Sequence, residues 1–262
     1  MEKYIEYIET QTENNRVLII TDVHNCHKEW HDTDNYDRME IMCDALKKEM
    51  ELKPYDLILM LGDYSLDFWE WEICGSYLWE NKVSRTKEFM ERFYPKLPKK
   101  AYMIPGNHEQ YSNEDWKGIT GFEREFAVVY GDYVFAMLDT FAGNLDPKVH
   151  SDGEYTGINT AFLEEVLKRH KDKKIILCMH DLIIEKESEE ARRLITEEKR
   201  IACAFAGHTH KSCTRILPEE WRGLAVFYSG DFSYNGGHIR EKNWGYRIVE
   251  PGGGIYTDYI RV

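Results

Sequence analysis

The chain has 262 residues, a formal net charge of -13 and a hydrophobic content of 42%. This length and composition are sufficient for the core of one α/β domain. An acidic surface repels phosphate backbones, so the charge disfavours stable binding to nucleic acid or to an anionic membrane. The N-terminal MEKYIEYIETQTENN lacks the apolar core of a signal peptide. No apolar run approaches the roughly 18–20 residues that cross a bilayer.

The six cysteines indicate a reducing compartment. None of them forms a CxxC pair, and Cys178 and Cys203 lie in apolar, strand-like runs where a thiol packs as a small hydrophobic group. We therefore expect a cytoplasmic protein, because structural disulfides belong to oxidising compartments. No linker, repeat or low-complexity tract divides the chain, so a single domain is predicted over residues 1–262.

Strands and helices alternate in the first part of the chain. RVLIITDVH is typical of a buried strand, and DRMEIMCDALKKEM after it has apolar side chains at helical spacing: Met39, Met42, Leu46 and Met50. LILMLGD is a second buried strand. A tryptophan-rich segment at about residues 64–100 is predicted to be helical in part, and AYMIPGNHE is a third strand followed by its loop.

Strands and one hairpin dominate the second part of the chain. FAVVYGDYVFAMLD predicts a β-hairpin that turns at Gly131 and Asp132. NTAFLEEVLKRH is an amphipathic helix with four apolar residues on one side: Phe162, Leu163, Val166 and Leu167. KKIILCMH and RIACAFAGHTH are further buried strands, and LAVFYSGD, GYRIV and IYTDYIRV close the chain as β structure. This order favours one α/β domain with mixed sheets.

Five of the predicted strands end at a side chain that can bind metal. Their ends read TDVH, LGD, PGNHE, CMHD and AGHTH. In α/β proteins, ligands collect outside the carboxyl ends of strands, so residues far apart in sequence can converge there. The candidate metal ligands are Asp22, His24, Asp63, Asn107, His180, His208 and His210.

The residue types in this set indicate the class of metal. Mixed oxygen and nitrogen ligands without thiolates suit manganese, iron or zinc rather than calcium or a structural zinc site. Seven ligands exceed one tetrahedral site and suffice for two sites if a carboxylate bridges them. Two divalent ions with the two carboxylates of Asp22 and Asp63 keep a net positive charge, which suits a phosphate ester and a bridging hydroxide.

The order of the motifs, DxH, GD, GNHE, H and GHxH, resembles the calcineurin-like metallophosphoesterase superfamily. The resemblance extends from Asp22 to His210, which is most of the chain. DxH or GD alone would carry almost no information, whereas the combined motif is highly specific. The resemblance implies two mixed β-sheets packed as a sandwich and flanked by helices, the four-layer metallophosphatase fold.

The resemblance also implies a role for each matching residue. One metal ion is expected at Asp22, His24, Asp63 and His210, and the other at Asp63, Asn107, His180 and His208, with Asp63 as the bridge. The catalytic residues are then His108, Asp63 and Asn107. His108 is not a ligand in such a site but faces the leaving-group oxygen or a nonbridging phosphate oxygen, where imidazole can donate a proton near neutral pH. Glu109 is expected to orient a neighbouring histidine.

Three loop positions depart from the family pattern. Asn25 follows DVH where many members have glycine, GDYSLD lacks a glycine often found after GD, and Asp181 follows His180 where proline is frequent. These departures remove no ligand but lie in loops that shape substrate access. The expected activity is hydrolysis of a phosphate mono- or diester of small to medium size by a hydroxide that two metal ions activate.

Two other functions stay open. The chain could be a catalytically silent phosphoester-binding or scaffold protein with the same fold, or a nuclease of the same superfamily. The complete ligand set and His108 favour an enzyme. The acidic segments Asp32–Asp37 and Glu185–Glu190 follow ligand-bearing strands and disfavour a nucleic-acid substrate. We therefore expect a small-molecule phosphoester as the partner and no membrane, and no pattern indicates an oligomeric state.

Other conspicuous residues have structural interpretations. His27 and His31 are interpreted as loop residues rather than ligands of a third metal, and Gly230-Asp231 as a turn. A group of aromatic residues either lines the substrate pocket or packs in the core and a lid: Phe68, Trp69, Trp71, Tyr77 and Trp79. The basic cluster before the GNHE strand is predicted to lie at the far end of that strand: Lys96, Lys99 and Lys100.

Overall fold

The structure is a computed structural model that describes residues 5–69, 84–145, 152–234 and 242–262. Its strands are β1 (Tyr7–Thr10), β2 (Val17–Ile20), β3 (Leu57–Leu61), β4 (Ala101–Ile104), β5 (Phe126–Tyr130), β6 (Tyr133–Leu138), β7 (Lys174–Met179), β8 (Ile201–Ala206), β9 (Ser212–Ile216), β10 (Ala225–Ser229), β11 (Gly245–Pro251) and β12 (Ile255–Arg261). Its α-helices are α1 (Asn35–Leu52), α2 (Arg85–Arg92), α3 (Asn113–Thr120), α4 (Thr160–Arg169) and α5 (Glu189–Glu197). Short 3₁₀ helices lie at Tyr94–Lys96, Ile184–Lys186 and Glu219–Trp221.

The strands form two mixed sheets. The larger sheet has the order β1-β5-β6-β7-β8-β10-β9 and the smaller has the order β12-β11-β2-β3-β4. Strands β2, β3 and β4 are parallel to one another, as are β6, β7, β8 and β10. Parallel neighbours end at the same edge of a sheet, so the loops that follow β2, β3 and β4 lie side by side, and so do those after β7, β8 and β10.

The alternation of side chains along β5 shows how the layers pack. Phe126 and Val128 belong to the core cluster that also contains the residues of β2, β3 and β4. Ala127 and Val129 belong to a second cluster that contains the buried residues of α4 and α5. Successive side chains of a strand point to opposite faces. The larger sheet therefore packs on the smaller sheet with one face and on helices with the other.

The opposite flank of the sandwich is built by α1 and α2, whose buried residues join the same cluster as the smaller sheet. In α1, Met39, Met42 and Leu46 are buried, as the helical spacing predicted. Asp34 begins this helix, because its side chain accepts hydrogen bonds from two backbone N–H groups of the first turn. Two mixed sheets with flanking helices confirm the predicted fold class.

The hairpin and the amphipathic helix of the second part were also predicted correctly. Strands β5 and β6 pair antiparallel around the predicted turn. Helix α4 begins after Asn159, whose side chain accepts from the N–H of Phe162, and its predicted apolar side is buried. Residues 70–83 of the tryptophan-rich segment lie outside the described residues, and so do Trp71, Tyr77 and Trp79, while α2 lies in the remainder.

Four of the described cysteines are free thiols: Cys43, Cys178, Cys203 and Cys213. Cys178 and Cys203 are buried in β7 and β8, as their apolar neighbours predicted. Within the described ranges, no helix has both the length and the apolar character that crossing a membrane requires.

Candidate metal centre

The seven candidate ligands lie in the loops that follow five strands. Two of them follow β2, one follows β3, one follows β4, one follows β7 and two follow β8: Asp22, His24, Asp63, Asn107, His180, His208 and His210. All are buried except His208, which is partly exposed. The structure brings the complete predicted set together, and contributions come from both sheets.

Several of these residues have a left-handed backbone that side chains rarely adopt. The backbone angle φ is positive at Asp22, His24, Asp63, His208 and His210. A non-glycine residue in this region costs on the order of 1–3 kcal/mol and persists only where its surroundings hold it. Such strain is typical of functional sites, because it aims side chains that an ordinary turn would direct elsewhere.

Two glycines allow the ligand loops to approach each other. A Cβ atom on Gly62 would lie 2.6 Å from Nδ1 of His180, and one on Gly106 would lie 2.2 Å from Oδ1 of Asp63. Both distances are far below van der Waals contact. The glycine of the GNHE motif is therefore required for the close approach of the β4 loop to Asp63.

Asp63 occupies the centre of the group. Its Oδ2 atom lies 3.1 Å from Nε2 of His180, 3.6 Å from Nε2 of His24 and 3.8 Å from Nε2 of His108. The three histidines come from three different loops, and Asp63 faces all of them. This is the position that a bridging carboxylate would occupy.

The remaining side chains form two clusters on either side of Asp63. The first cluster is Asp22, His24 and His210, whose ligand atoms all lie within 4.8 Å of one another. The second cluster is Asn107, His180 and His208, and Oδ1 of Asn107 lies 2.9 Å from Nε2 of His180 and 3.0 Å from Nδ1 of His208. The ligand atoms of Asp63, His180 and His208 also lie within 4.8 Å of one another.

The donor and acceptor pattern of the second cluster fits a cation. Nδ1 of His180 lies 2.7 Å from the carbonyl oxygen of Leu61 and must donate its proton there. Nε2 of the same ring is then an acceptor, yet it faces Oδ2 of Asp63 at 3.1 Å and Oδ1 of Asn107 at 2.9 Å. Three acceptors at this distance repel one another unless a proton or a metal ion lies among them.

The first cluster has the same pattern. His210 donates from Nδ1 to the carbonyl oxygen of Tyr234, so its Nε2 faces Oδ1 of Asp22 at 3.2 Å as an acceptor. Among the described residues, Oδ1 of Asp22 and both ring nitrogens of His24 are buried without a hydrogen-bond partner. Buried polar atoms are rarely left unpaired, and oxygen and imidazole ligands suit transition metals. The residues present therefore fit one metal ion in each cluster.

The carboxylates of both clusters stabilise positive charge on their histidines. Burial lowers the pKa of His180, but Asp63 and Asp22 raise it more strongly, to about 10. Burial likewise opposes a charge on His210, and Asp22 and Asp231 raise its pKa to about 9. A proton and a metal ion compete for the same nitrogen atoms, so this electrostatic field favours either one.

His108 lies beside the two clusters, and its ligand atom is within 4.8 Å of those of His24 and Asp63. Its Nδ1 atom is 3.7 Å from Oδ1 of Asp152, and its ring packs edge-on against Trp69 at a centroid distance of 5.0 Å. Trp69 also donates from Nε1 to Asp152 at 2.7 Å. Burial lowers the pKa of His108, and Asp63 and Asp152 partly offset that effect. Trp69 thus belongs to the wall of the site, whereas Phe68 is buried in the core.

The role expected for Glu109 was wrong. Its carboxylate accepts from the backbone N–H groups of Asp63 and Tyr64 at 2.8 Å each and of Gly106 at 2.9 Å. It also accepts from the N–H of Ser65 at 3.3 Å. Glu109 therefore ties the loop after β3 to the loop after β4, and it positions the backbone of Asp63 instead of a histidine ring.

Two departures from the family motifs have structural explanations. Asn25 is buried, donates to the carbonyl oxygen of Arg85 at 2.8 Å and accepts from the side chain of Asn35 at 2.7 Å. Asp181 places Oδ2 3.9 Å from Nε2 of His208, on the side of the ring opposite to Asn107. Asn25 thus links the β2 loop to α2, and Asp181 lies behind a candidate ligand.

Sequence reasoning missed Asp231, which had been interpreted as part of a turn. It follows β10, which is parallel to β8, so it lies at the same sheet edge as His208 and His210. Asp231 is fully buried, and its Oδ2 atom has no hydrogen-bond partner among the described residues. The apolar run AVFYS before Gly230-Asp231 repeats the strand-GD pattern of Asp63 and was the available signal.

Two aromatic residues of the wall were also missed. Tyr234 packs its ring 4.7 Å from that of His210 and 5.2 Å from that of His24. Phe141 packs 5.7 Å from His180 and 5.9 Å from His208. Neither residue belongs to a motif, so only the folded chain shows that each covers one cluster.

The histidines near the first motif do not join the centre. Nε2 of His27 lies 3.0 Å from the hydroxyl of Tyr36, and the ring of His31 packs edge-on against Trp244 at 5.9 Å. In the part of the chain that the structure describes, neither belongs to a group of metal-capable side chains. Their interpretation as loop residues agrees with these contacts.

Comparison with known proteins agrees with the motifs and the geometry. A family model described as calcineurin-like phosphoesterase matches residues 15–212. The purple acid phosphatase PPD1 from seeds of yellow lupin (Lupinus luteus) has a similar structure, with a TM-score of 0.57 and 15% sequence identity over 94% of this chain and 51% of that chain. The chain spans about half the length of that phosphatase.

A second similar structure is GAP50, described as the anchor in the inner membrane complex of Plasmodium. Its TM-score is 0.57 at 12% sequence identity, with 94% of this chain and 84% of that chain covered. At such low identities both structures show a shared fold and nothing finer. The comparison with curated proteins gave no match.

Proposed function

Because the chain belongs to the calcineurin-like phosphoesterase family, we propose that it hydrolyses a phosphate mono- or diester of small to medium size at a centre of two metal ions. The observation that carries this proposal is the convergence of two clusters of ligand atoms on Asp63. Their acceptor atoms face one another at distances that require positive charge between them.

The ligand roles follow from the two clusters. We propose that the first ion is held by Asp22, His24, Asp63 and His210, and the second by Asp63, Asn107, His180 and His208. Manganese, iron or zinc suits this mixture of oxygen and nitrogen ligands. When bound, the ions would supply positive charge for phosphate oxygens and activate water for attack on phosphorus.

The surrounding residues orient the reaction. Asn107 provides a neutral oxygen, so the second cluster gains a ligand without a further negative charge. His108 lies next to Asp63 but outside both ligand sets, with Nε2 directed toward the centre. From there it can donate a proton or a hydrogen bond to the leaving group or to a phosphate oxygen. Asp152 and Trp69 hold the other side of its ring.

A scaffold role is the alternative function that remains after the comparisons with known proteins. GAP50 is described as an anchor and has a similar fold, so the fold by itself does not require catalysis. A scaffold would have no need for seven converging ligand side chains, strained backbone at five of them and an adjacent His108. These features support the enzyme.

The proposal is tested by measuring metal content and turnover together. The purified wild-type protein should bind two ions per chain and hydrolyse an aryl phosphate. Asp63→Asn should lose metal and nearly all turnover, because the amide removes the charge that faces both clusters. Asp44→Asn is the matched control, since the Asp44 side chain is 72% exposed on α1. Full metal content with normal turnover in Asp63→Asn would contradict the proposal.

A further inference from the structure

His24 differs from His180 and His210 in how its ring is held. His180 and His210 each donate from Nδ1 to a backbone carbonyl oxygen, of Leu61 and Tyr234 respectively. Such a bond normally fixes the orientation of a ligating histidine. Neither nitrogen of His24 has a hydrogen-bond partner among the described residues. Its orientation must therefore be set by the packing of its ring and by the backbone that carries it.

The backbone of His24 also needs support. Its φ angle is 39°, in the left-handed region that non-glycine residues rarely adopt. Its N–H donates to the carbonyl oxygen of Asp63 at 3.0 Å, which fixes one side of the residue. A strained residue keeps its conformation only where several contacts hold it, so a second restraint is required.

Arg38 of α1 provides that restraint. Its side chain is fully buried, and its guanidinium donates to the carbonyl oxygen of Val23 and, at 2.8 Å, to that of His24. These two carbonyls belong to the peptide groups on either side of the Cα atom of His24. A further bond of 2.8 Å to Oδ1 of Asn35 fixes the guanidinium on its own helix.

The same guanidinium reaches the second loop of the first cluster. It donates to the carbonyl oxygen of Phe232, whose own N–H donates to the carbonyl oxygen of Asp22 at 3.2 Å. Tyr234, two residues further on, accepts the hydrogen bond of His210. Arg38 thus joins the loop that carries two ligands of the first cluster to the loop that orients the third.

We propose that Arg38 is the positioning residue of the first metal site, and that it holds His24 through its backbone in place of a hydrogen bond on the ring. The inference rests on the metal centre proposed above. Among the described residues, each hydrogen bond of the Arg38 guanidinium goes to Asn35 or to a carbonyl of the two loops around the first cluster. The first site should therefore depend on Arg38, and the second site should not.

Lysine should not replace Arg38. The planar guanidinium directs several N–H groups at fixed angles, whereas an ammonium is a point charge on a flexible stem. Three carbonyl oxygens and one amide oxygen surround the guanidinium, and one ammonium cannot reach all of them in the same geometry. Arg38→Lys therefore keeps a buried positive charge but loses the set of hydrogen bonds that positions the two loops.

The experiment titrates metal-free protein with Mn²⁺ and measures the affinity of each ion by calorimetry and the bound metal by elemental analysis. The variants are Arg38→Lys and Arg38→Gln, with His24→Ala and His208→Ala as references for loss of the first and second site. We expect the Arg38 variants to lose affinity for one ion by about 10–100-fold, as for other residues that orient ligands. That ion should be the one that His24→Ala loses.

Arg16→Gln is the matched control. Arg16 is a second buried arginine, just before β2 and so at the opposite end of that strand from His24. It binds Glu49, Glu250 and the carbonyl oxygen of Lys53. Its loss should lower the melting temperature and leave both metal affinities unchanged, which separates general destabilisation from positioning.

A double-mutant cycle keeps the inference testable if Arg38→Gln folds poorly. In the His24→Ala background, Arg38→Lys should have no further effect on the affinity of the remaining ion. Wild-type affinity for both ions in Arg38→Lys, or an equal loss at both sites, would overturn the role of Arg38. If the wild-type protein itself binds fewer than two ions, that result contradicts the proposed metal centre. It is thereby distinguished from a result that contradicts only the role of Arg38.

Discussion

His108 faces the centre with one nitrogen and the wall of the site with the other. Nε2 lies 3.8 Å from Oδ2 of Asp63, while Nδ1 lies 3.7 Å from Oδ1 of Asp152. Burial lowers the pKa of His108, and the two carboxylates partly offset this. The ring is held by packing against Trp69 and His24 rather than by a short hydrogen bond. In the proposed function it acts on the substrate, although its ligand atom also lies within 4.8 Å of those of His24 and Asp63.

His108→Ala should keep both metal ions and slow hydrolysis most for esters with poor leaving groups. General acid catalysis typically contributes 10²–10⁴-fold, and a leaving group such as nitrophenolate needs less protonation than an alkoxide. The measurement compares kcat for nitrophenyl and alkyl phosphates. His170→Ala is the control, since His170 is a buried histidine that packs on Tyr7 instead. Equal losses for both leaving groups would argue against proton donation.

At the level of secondary-structure elements, the loops after β3 and β4 are joined to each other by hydrogen bonds. Glu109 accepts backbone N–H groups from both loops, and N–H of His108 donates to Oδ1 of Asp63 at 3.2 Å. The position of Asp63 thus depends on the turn that contains Gly106. Residues that never touch a metal ion can therefore control whether the ion binds.

Gly106→Ala should weaken metal binding at both sites. Its Cβ atom would lie 2.2 Å from Oδ1 and 2.7 Å from the backbone nitrogen of Asp63, so the carboxylate between the clusters must move. Gly118→Ala in α3 is the control, because a Cβ there meets nothing within 4 Å. That change should stabilise the protein by about 0.5–1 kcal/mol. Thermal unfolding and metal analysis measure both effects, and unchanged metal affinity in Gly106→Ala would contradict the expectation.

The elements and ligands that local patterns specify could be predicted from the sequence. Apolar runs identified β2, β3, β4, β7 and β8, and helical spacing identified α1 and α4. The order of five motifs then identified the ligand candidates, because each motif is a short contiguous stretch. Their convergence followed from the rule that ligands collect at the carboxyl ends of strands.

The residues that support the ligands could not be predicted in the same way. In the sequence, Arg38 cannot be distinguished from the other polar residues of an amphipathic helix. Only the folded structure shows that its guanidinium contacts the carbonyl oxygens of Val23, His24 and Phe232. Glu109 was assigned to a histidine, whereas three of its four hydrogen-bond donors are backbone N–H groups 44 to 46 residues away in sequence. Long-range hydrogen bonds to the backbone leave no pattern in a single sequence.

At the scale of the molecule, the stability of the protein should depend on pH and metal together. The pKa of His180 is raised to about 10 and that of His210 to about 9, from a usual value of 6.5. A group with a raised pKa in the folded state stabilises the fold fully below its unfolded pKa and loses this effect as pH rises through the folded value. The metal-free protein should therefore lose stability between about pH 6.5 and pH 10.

Metal binding should have the opposite dependence, because the ions displace protons from these imidazoles. The increase in melting temperature that Mn²⁺ or Zn²⁺ produces should grow from pH 6 to pH 9. Scanning calorimetry with and without metal measures the difference, and calorimetric titration in buffers of different ionisation enthalpy detects the released protons. A metal-induced increase that is larger at pH 6 than at pH 9 would contradict the assignment of His180 and His210 as ligands.

The charge of the whole molecule bears on the size of the substrate. The net charge is -13, and two acidic side chains lie beside the centre. Asp152 lies 3.7 Å from His108, and Asp181 lies 3.9 Å from His208. The basic cluster begins with Lys96, which pairs with Glu40, and precedes β4, at the opposite end of that strand from Asn107. This described basic cluster is therefore not placed to bind an extended polyanion at the carboxyl edge of β4.

We expect metal-loaded protein to hydrolyse nitrophenyl esters or mononucleotide-sized esters faster than DNA or RNA. A polymer would lay several phosphates over the acidic side chains, and affinity for nucleic acid requires Lys and Arg contacts that release counterions. A small ester needs only the charge of the two ions, and the partly exposed residues Trp69 and Tyr234 can contact its organic group. The measurement compares kcat/KM for these esters with cleavage of single- and double-stranded polymers at moderate salt, with metal-free protein as the control. Polymer cleavage that exceeds the rate for every small ester would contradict this substrate class and would favour the nuclease, since the same metal centre serves both reactions.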